Sequence, residues 1–249
     1  MTPDGKLPAE PLPQSFFARP APELALALLG QLLVRQLPNG TCLKARIVET
    51  EAYQGMDDTA CHARMGRTER NAVMFGQAGH AYVYLIYGMY DMLNLVCDQE
   101  GVPAAVLIRA VEPVEGIAEL ERVRGVRGPS LTNGPGRLCR ALQLDRSLNG
   151  ASLVSGPHLW LEPGPPLEAS QIERSPRVGI DYAEPAHRNL LWRFFERGSR
   201  WVSVPPRPKT PKAKVPIEKT LTTKAPEERS ATAKALKPRT PKTKRDRQG

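Results

Sequence analysis

The composition of this chain breaks after Val204, and the break limits how much of it can fold. No aromatic residue follows Trp201, and Pro, Lys, Thr and Ala dominate residues 205–249, with Pro-Lys-Thr at 208–210 and again at 241–243. Such a segment cannot bury enough apolar surface to offset the entropy of ordering it, so a disordered tail is expected there. That leaves residues 16–204 for one domain, after a Pro-rich, flexible lead-in at 1–15. A hydrophobic content of 41% supplies a core of ordinary size. The charge divides at the same point. The tail holds 14 of the 35 basic and 4 of the 26 acidic residues, a net of +10, which leaves the rest of the chain at −1. A positive arm of this kind suits a polyanion, DNA or RNA, or serves solubility alone. Any basic surface on the body must come from arrangement.

Cys42, Cys61, Cys97 and Cys139 form no CxxC pair, which fits reduced thiols in a cytosolic protein. Met1–Gln14 has no basic segment followed by an apolar one, so no secretory signal is expected. No apolar run is long enough to span a bilayer.

The pattern along the body is mixed. A helix is expected from about Pro22 to Gly30. Gln31–Leu37 and Thr41–Tyr53 read as strands joined at Pro38-Asn39-Gly40. In the second, Leu43, Ala45 and Ile47 alternate with Lys44, Arg46 and Val48. A loop from Gln54 to Arg70 follows. His80–Tyr87, Met92–Cys97 and Ala104–Ala110 are strand candidates. Helices are predicted at Val114–Arg124 and Pro135–Leu144, and strands at Leu159–Glu162, Arg177–Ile180 and Leu190–Glu196. No internal repeat is present.

Four groups of residues bear on chemistry. Glu49 and Glu51 are two apart, so a strand turns both to one side. Their mutual repulsion would raise one pKa for acid–base work; a solvated strand edge is the plainer reading. In YVYLIYGMY (82–90), alternation puts Tyr82, Tyr84 and Ile86 on one face. Tyr87 falls at the strand end beside Gly88. Such tyrosines suit a core or a pocket that stacks a flipped base. Asp57, Asp58, Cys61 and His62 match no zinc spacing, so no metal is expected, and His62 reads as a hydrogen-bonding residue. Asn133-Gly134-Pro135-Gly136-Arg137 enters a helix. Its backbone N–H groups at Gly136 and the Arg137 charge suit a phosphate, or form an ordinary turn.

Taken in order, RIVETEAY (46–53), His62, Arg70-Asn71, Met74-Phe75, YVYLIYGMY, Asn94, VLIRAVEP (106–113), GPGRLCRAL (134–142), RVGI (177–180) and RGSRWVSV (197–204) resemble the alkyladenine (3-methyladenine) DNA glycosylase family of base-excision repair. Each motif alone is weak, but the ordered set is specific. The resemblance implies an α+β fold: a single mixed α/β domain with a curved, largely antiparallel sheet and surrounding helices. It implies a hydrolase that removes damaged purines from double-stranded DNA as a monomer, with no cofactor and no membrane. That work belongs in the cytoplasm of a bacterium, at the nucleoid, or in a nucleus.

The resemblance also implies residue roles. Glu51 would activate water, positioned with Arg109 and the Val178 carbonyl. Tyr53 would stack on one face of the base, with His62 and Tyr84 opposite. Asn94 would exclude guanine, and Tyr87 would fill the gap left in the duplex. No Lys lies within the motifs, so no Schiff base is expected. Asp91 departs from the pattern, standing where an apolar or aromatic residue is expected, a change that could alter the pocket wall or weaken DNA contact. Two rivals are a non-enzymatic DNA-binding protein and a small-molecule enzyme of formyltransferase type. For the second, no carbonyl-activating Asn/His/Asp set is present.

Overall fold

The computed structural model describes residues 10–204; the expected disordered tail lies outside them. In chain order the elements are α1 (Gln14–Phe17), α2 (Ala21–Ala27), β1 (Leu32–Gln36), β2 (Cys42–Gln54), β3 (Ala81–Ile86), β4 (Tyr90–Val96), β5 (Ala104–Glu115), α3 (Ile117–Arg124), α4 (Pro135–Ala141), β6 (Leu159–Glu162), β7 (Ile172–Ser175), α5 (Pro185–Arg188) and β8 (Arg193–Glu196). All eight strands join one antiparallel sheet in the order β3-β4-β5-β2-β1-β6, with β8 pairing both β2 and β7. The fold is the expected α+β class.

β2 organises the sheet. Its first half pairs with β1 on one edge, its second half pairs with β8 on that same edge, and β5 runs along the other. Where the partner changes, the register breaks and returns: Val48 is unpaired on β2 between Ile47↔Val111 and Glu49↔Ala110, and Arg109 is unpaired on β5 between Glu49↔Ala110 and Thr50↔Ile108. This bulge changes which residues face inward. Leu43, Ala45 and Ile47 point into the core. Val48 does too, and the alternation then restarts with Ala52 inside and the Thr50 hydroxyl donating to the Ala25 carbonyl of α2 at 2.8 Å. Val48 is therefore a core residue, not a partner of the outward Lys44 and Arg46. The core lies between this inner face and the helices, with Leu24, Ala25 and Leu28 on one side and Leu138 and Ala141 of α4 on another.

Three boundaries differ from expectation. Val114 and Glu115 end β5, and α3 begins only after Gly116, whose φ of 72° turns the chain. Arg177–Ile180 is a loop; the strand is Ile172–Ser175. Leu12, near the start of the described segment, is buried, and its N–H donates to the Leu161 carbonyl at 2.8 Å. No described helix is long and apolar enough to cross a membrane.

Candidate active site

The bulge in β2 gives the outer face of the sheet its chemistry. Glu49, Glu51 and Tyr53 turn away from the core, alongside Ala105, Leu107 and Arg109 of β5, Met92 and Asn94 of β4, and Tyr82, Tyr84 and Ile86 of β3. These strands floor a cavity of about 540 Å³, closed at the sides by Ala60–His62 and Val178–Ile180. The volume suits a small organic ligand, for which roughly 300–1,000 Å³ is usual.

Glu51 is fully buried just behind that floor. Its Oε1 accepts the Val178 N–H at 2.7 Å. Its Oε2 accepts the Tyr53 hydroxyl at 2.9 Å and Arg109 Nη1 at 3.2 Å. All three donors belong to cavity-wall residues. A carboxylate has about four acceptor positions, so one remains open. The Val178 contact runs through its N–H, whereas the resemblance implied a role for its carbonyl.

Glu49 is equally buried but tied off. It accepts Arg109 Nε at 2.9 Å, Arg193 Nε at 2.7 Å, the Ser203 hydroxyl at 2.8 Å and the Ser203 N–H at 2.6 Å. Repulsion between the two glutamates is therefore not what sets the site: Arg109 stands between them and donates to both. Burial opposes the Arg109 charge, but the two carboxylates outweigh it and hold the guanidinium protonated. Arg193 and Ser203 are site-supporting residues that strand patterning does not reveal, since each meets Glu49 from far along the chain.

The remaining wall is aromatic. The His62 ring packs edge-on to Tyr84 at 4.5 Å, and its Nδ1 lies 3.0 Å from the Tyr82 hydroxyl. Partial burial, then the nearby Arg70 and Arg64, lower the His62 pKa, so the ring is neutral at pH 7. Burial pushes the Tyr84 phenol well up and the Tyr82 phenol up to about 12, so both stay protonated. Burial likewise raises the Cys61 thiol to about 11, which removes it as a nucleophile. Asn94 Nδ2 donates to the Tyr82 carbonyl at 3.2 Å, which fixes its side chain in the floor.

At the rim, Tyr87 tips the β3–β4 hairpin, 83% exposed, with φ of 53°. A bulky side chain in the left-handed region costs energy, and nothing in the core compensates for it here. Gly136 on α4 sits against Tyr90, where a Cβ would come within 3.1 Å of the ring. Arg137 donates to Asn133 Oδ1 at 2.6 Å, and Pro135 reaches the cavity edge. Asp91 faces the opposite way from Met92 and Asn94. It lines a separate cavity with α4 residues, so it is no part of the pocket wall. Asp57, Asp58, Cys61 and His62 do not assemble: Asp58 is paired with Arg177 and His62 with Tyr82.

Residues 15–200 match the family described as methylpurine-DNA glycosylase. Two relatives carrying the name "Putative 3-methyladenine DNA glycosylase" are closely similar. That of Methanocella arvoryzae is 52% identical over 195 residues, covering 77% of this chain and 95% of the relative. That of Myxococcus xanthus is 50% identical over 202 residues, covering 79% and 95%. The DNA-3-methyladenine glycosylase of Homo sapiens is 46% identical over 202 residues, covering 76% of this chain and 66% of the human protein. The chain belongs to the methylpurine-DNA glycosylase family.

Proposed function

We propose that this chain is a monofunctional DNA glycosylase. It flips alkylated or deaminated purines out of duplex DNA and hydrolyses the N-glycosidic bond with a Glu51-activated water, leaving an abasic site. The observation that carries this reading is the Glu51 carboxylate: buried, and held by three donors whose residues all line an aromatic-walled cavity.

The flipped purine lies between Tyr53 and the His62–Tyr84 pair. A purine alkylated at N3 or N7 is cationic in the nucleotide, and π-faces hold cations. A neutral His62 adds no repulsion. Asn94, fixed by Tyr82, meets the edge of the base and rejects the exocyclic amine of guanine. Tyr87 fills the vacated space in the helix, while Gly136 and Arg137 face the phosphate backbone. As the C–N bond breaks, its electron pair leaves with the base and positive charge develops at C1′. A fixed carboxylate stabilises that charge. Water, hydrogen-bonded to the free acceptor position of Glu51, bonds to C1′ and gives its proton to the carboxylate. An oxocarbenium-like centre needs little nucleophilic push, so orientation and charge matter more.

Lys44 is the sole lysine among the described residues, and it is bound to Glu162 at 2.8 Å and Glu115 at 3.4 Å, away from the pocket. This favours water over an amine as the nucleophile.

The test is single-turnover base release from duplexes carrying one hypoxanthine or one methylated purine, with heat and alkali revealing abasic sites. Wild type should release base, and Glu51→Gln should be slower by roughly a hundredfold or more. A wild-type protein that binds both duplexes and releases neither base overturns the enzymatic reading and favours a DNA-binding protein.

A further inference from the structure

Arg177 and Asp58 form a buried ion pair that the proposed chemistry does not use directly. Arg177 is 5% exposed and Asp58 2%. The guanidinium grips both carboxylate oxygens, with Nη2 to Oδ1 at 2.9 Å and Nη1 to Oδ2. Nη1 also donates to the Ala52 carbonyl at 2.9 Å, and Nη2 to the His187 carbonyl at 3.1 Å. Its central carbon lies over the Tyr53 ring, 4.8 Å from the centroid, and over the Trp192 ring at 5.1 Å.

These contacts join three stretches of pocket wall. The first is the end of β2, through the Ala52 carbonyl and the Tyr53 ring. The second is the turn at 58–62, because Asp58 Oδ1 also accepts the Ala60 N–H at 3.0 Å and so shapes the approach to His62. The third is the loop that begins at Arg177 itself, whose next residue gives its N–H to Glu51. Two of the three donors to Glu51, Tyr53 and Val178, are thus adjacent to groups that Arg177 holds. A buried ion pair is a poor means of gaining stability, since apolar replacements of similar volume are often neutral or better. Its geometry must serve something else.

We propose that the Arg177–Asp58 pair is a positioning device for the site: it locks Tyr53 and the Val178 N–H onto Glu51 and so keeps the carboxylate in one orientation. The pair also covers one face of Tyr53, leaving the other for a base, and Asp58 cancels the Arg177 charge beside that ring. This inference rests on the glycosylase reading above.

The test uses the full chain and the same lesion duplexes. The paired variant Arg177→Met with Asp58→Asn removes both charges with little change of volume and keeps an acceptor for the Ala60 N–H; two backbone carbonyls lose a donor, so its melting temperature should fall by about 5–20 °C with the protein still folded. Its single-turnover rate should fall roughly 10- to 100-fold, the cost of a misplaced group, with duplex affinity changed less than about threefold. Arg177→Lys keeps the charge but not the planar fork, and should also lose at least about tenfold. In a Glu51→Gln background, the loss caused by Arg177→Lys should shrink below about threefold, because residues acting through one group are not additive. A wild-type rate in either folded variant overturns the proposal. So does an undiminished loss in the Glu51→Gln background, which marks a purely structural pair. An inert wild type, or a fully active Glu51→Gln, instead overturns the glycosylase reading.

Discussion

Two arginines on the outer face of the sheet each bridge a pair of glutamates, and burial should make their removal cost very different amounts. Arg109 is 6% exposed and spans Glu49 and Glu51, both fully buried. Arg46 spans Glu112 and Glu196, whose side chains are 36% and 19% exposed. Arg109→Met keeps the volume and removes the charge. Glu49 retains Arg193 and Ser203, while Glu51 keeps only Tyr53 and Val178. Two like charges two residues apart on a strand, about 7 Å, repel by about 2 kcal/mol at an effective dielectric constant near 20. Adding the lost charge-assisted bonds gives about 3–5 kcal/mol, as for other broken buried pairs. For a body of this size each kcal/mol is worth about 2–4 °C, so Arg109→Met should melt about 6–20 °C lower. Arg46→Met should lose about 1 kcal/mol at most, about 2–4 °C, because water screens its partners. Calorimetry on both variants decides. Equal drops, or an Arg109→Met protein that melts like wild type, would refute the argument that burial of the carboxylates sets the cost.

Three further outcomes are expected. The lowered His62 pKa, due to burial and then to Arg70 and Arg64, keeps the ring neutral until the pH falls below about 6.5. Release of a cationic base should therefore decline on the acid side, and Arg70→Gln should move that decline to higher pH. Folding follows the same sign: the unfolded chain takes the proton first, so His62 costs stability as pH falls from about 6.5 to its lower folded value. A pH–rate profile unmoved by Arg70→Gln removes His62 from the site. Tyr87→Gly should relieve about 1 kcal/mol of backbone strain yet weaken binding of a lesion duplex by roughly tenfold; a melt and a titration on the same sample check both halves. Ending the chain after Val204 removes a net +10 and should flatten the salt dependence of DNA affinity, since each phosphate neutralised contributes about 0.9 to the log–log slope. An unchanged slope would leave solubility as the role of the tail.

What could be read from the sequence was local. Alternation in YVYLIYGMY places Tyr82, Tyr84 and Ile86 together, and the structure puts all three on the cavity. The hairpin at Pro38-Asn39-Gly40 and the glycine beside Tyr87 are turn chemistry, which depends on neighbours alone. What could not be read depends on partners far along the chain. Arg109 meets Glu51 from 58 residues away, Ser203 meets Glu49 from 154, and Arg177 meets Asp58 from 119. Nothing in the spacing of an isolated arginine says which carboxylate it will find. The strand misassigned to Arg177–Ile180 shows the same limit. Its apolar residues are there to line a pocket as a loop, and periodicity does not separate that from a buried strand.

The bulge at Val48 shows how a small departure from pattern creates the site. Carried straight through, the alternation that sends Leu43, Ala45 and Ile47 inward would also send Glu49, Glu51 and Tyr53 into the apolar core, where two unpaired carboxylates could not stay charged. The break at Val48 on β2, matched by one at Arg109 on β5, reverses the sides of both strands. The signal was present as Ile47-Val48, two adjacent β-branched residues where alternation calls for one, followed by Glu-Thr-Glu, which cannot enter a core at its odd positions. That conflict between pattern and chemistry has one inexpensive resolution, a bulge between them, and the same point is where β2 exchanges β1 for β8. At this break the edge passes to β8, which brings Arg193 to Glu49, and Glu51 falls on the cavity side of the sheet. Deleting Val48 should therefore do more than shorten a strand. It should put the glutamates on the core side and abolish folding, whereas Val48→Ala, which keeps the count, should cost only the few kcal/mol of a buried side chain truncated to Ala and leave Glu51 in place.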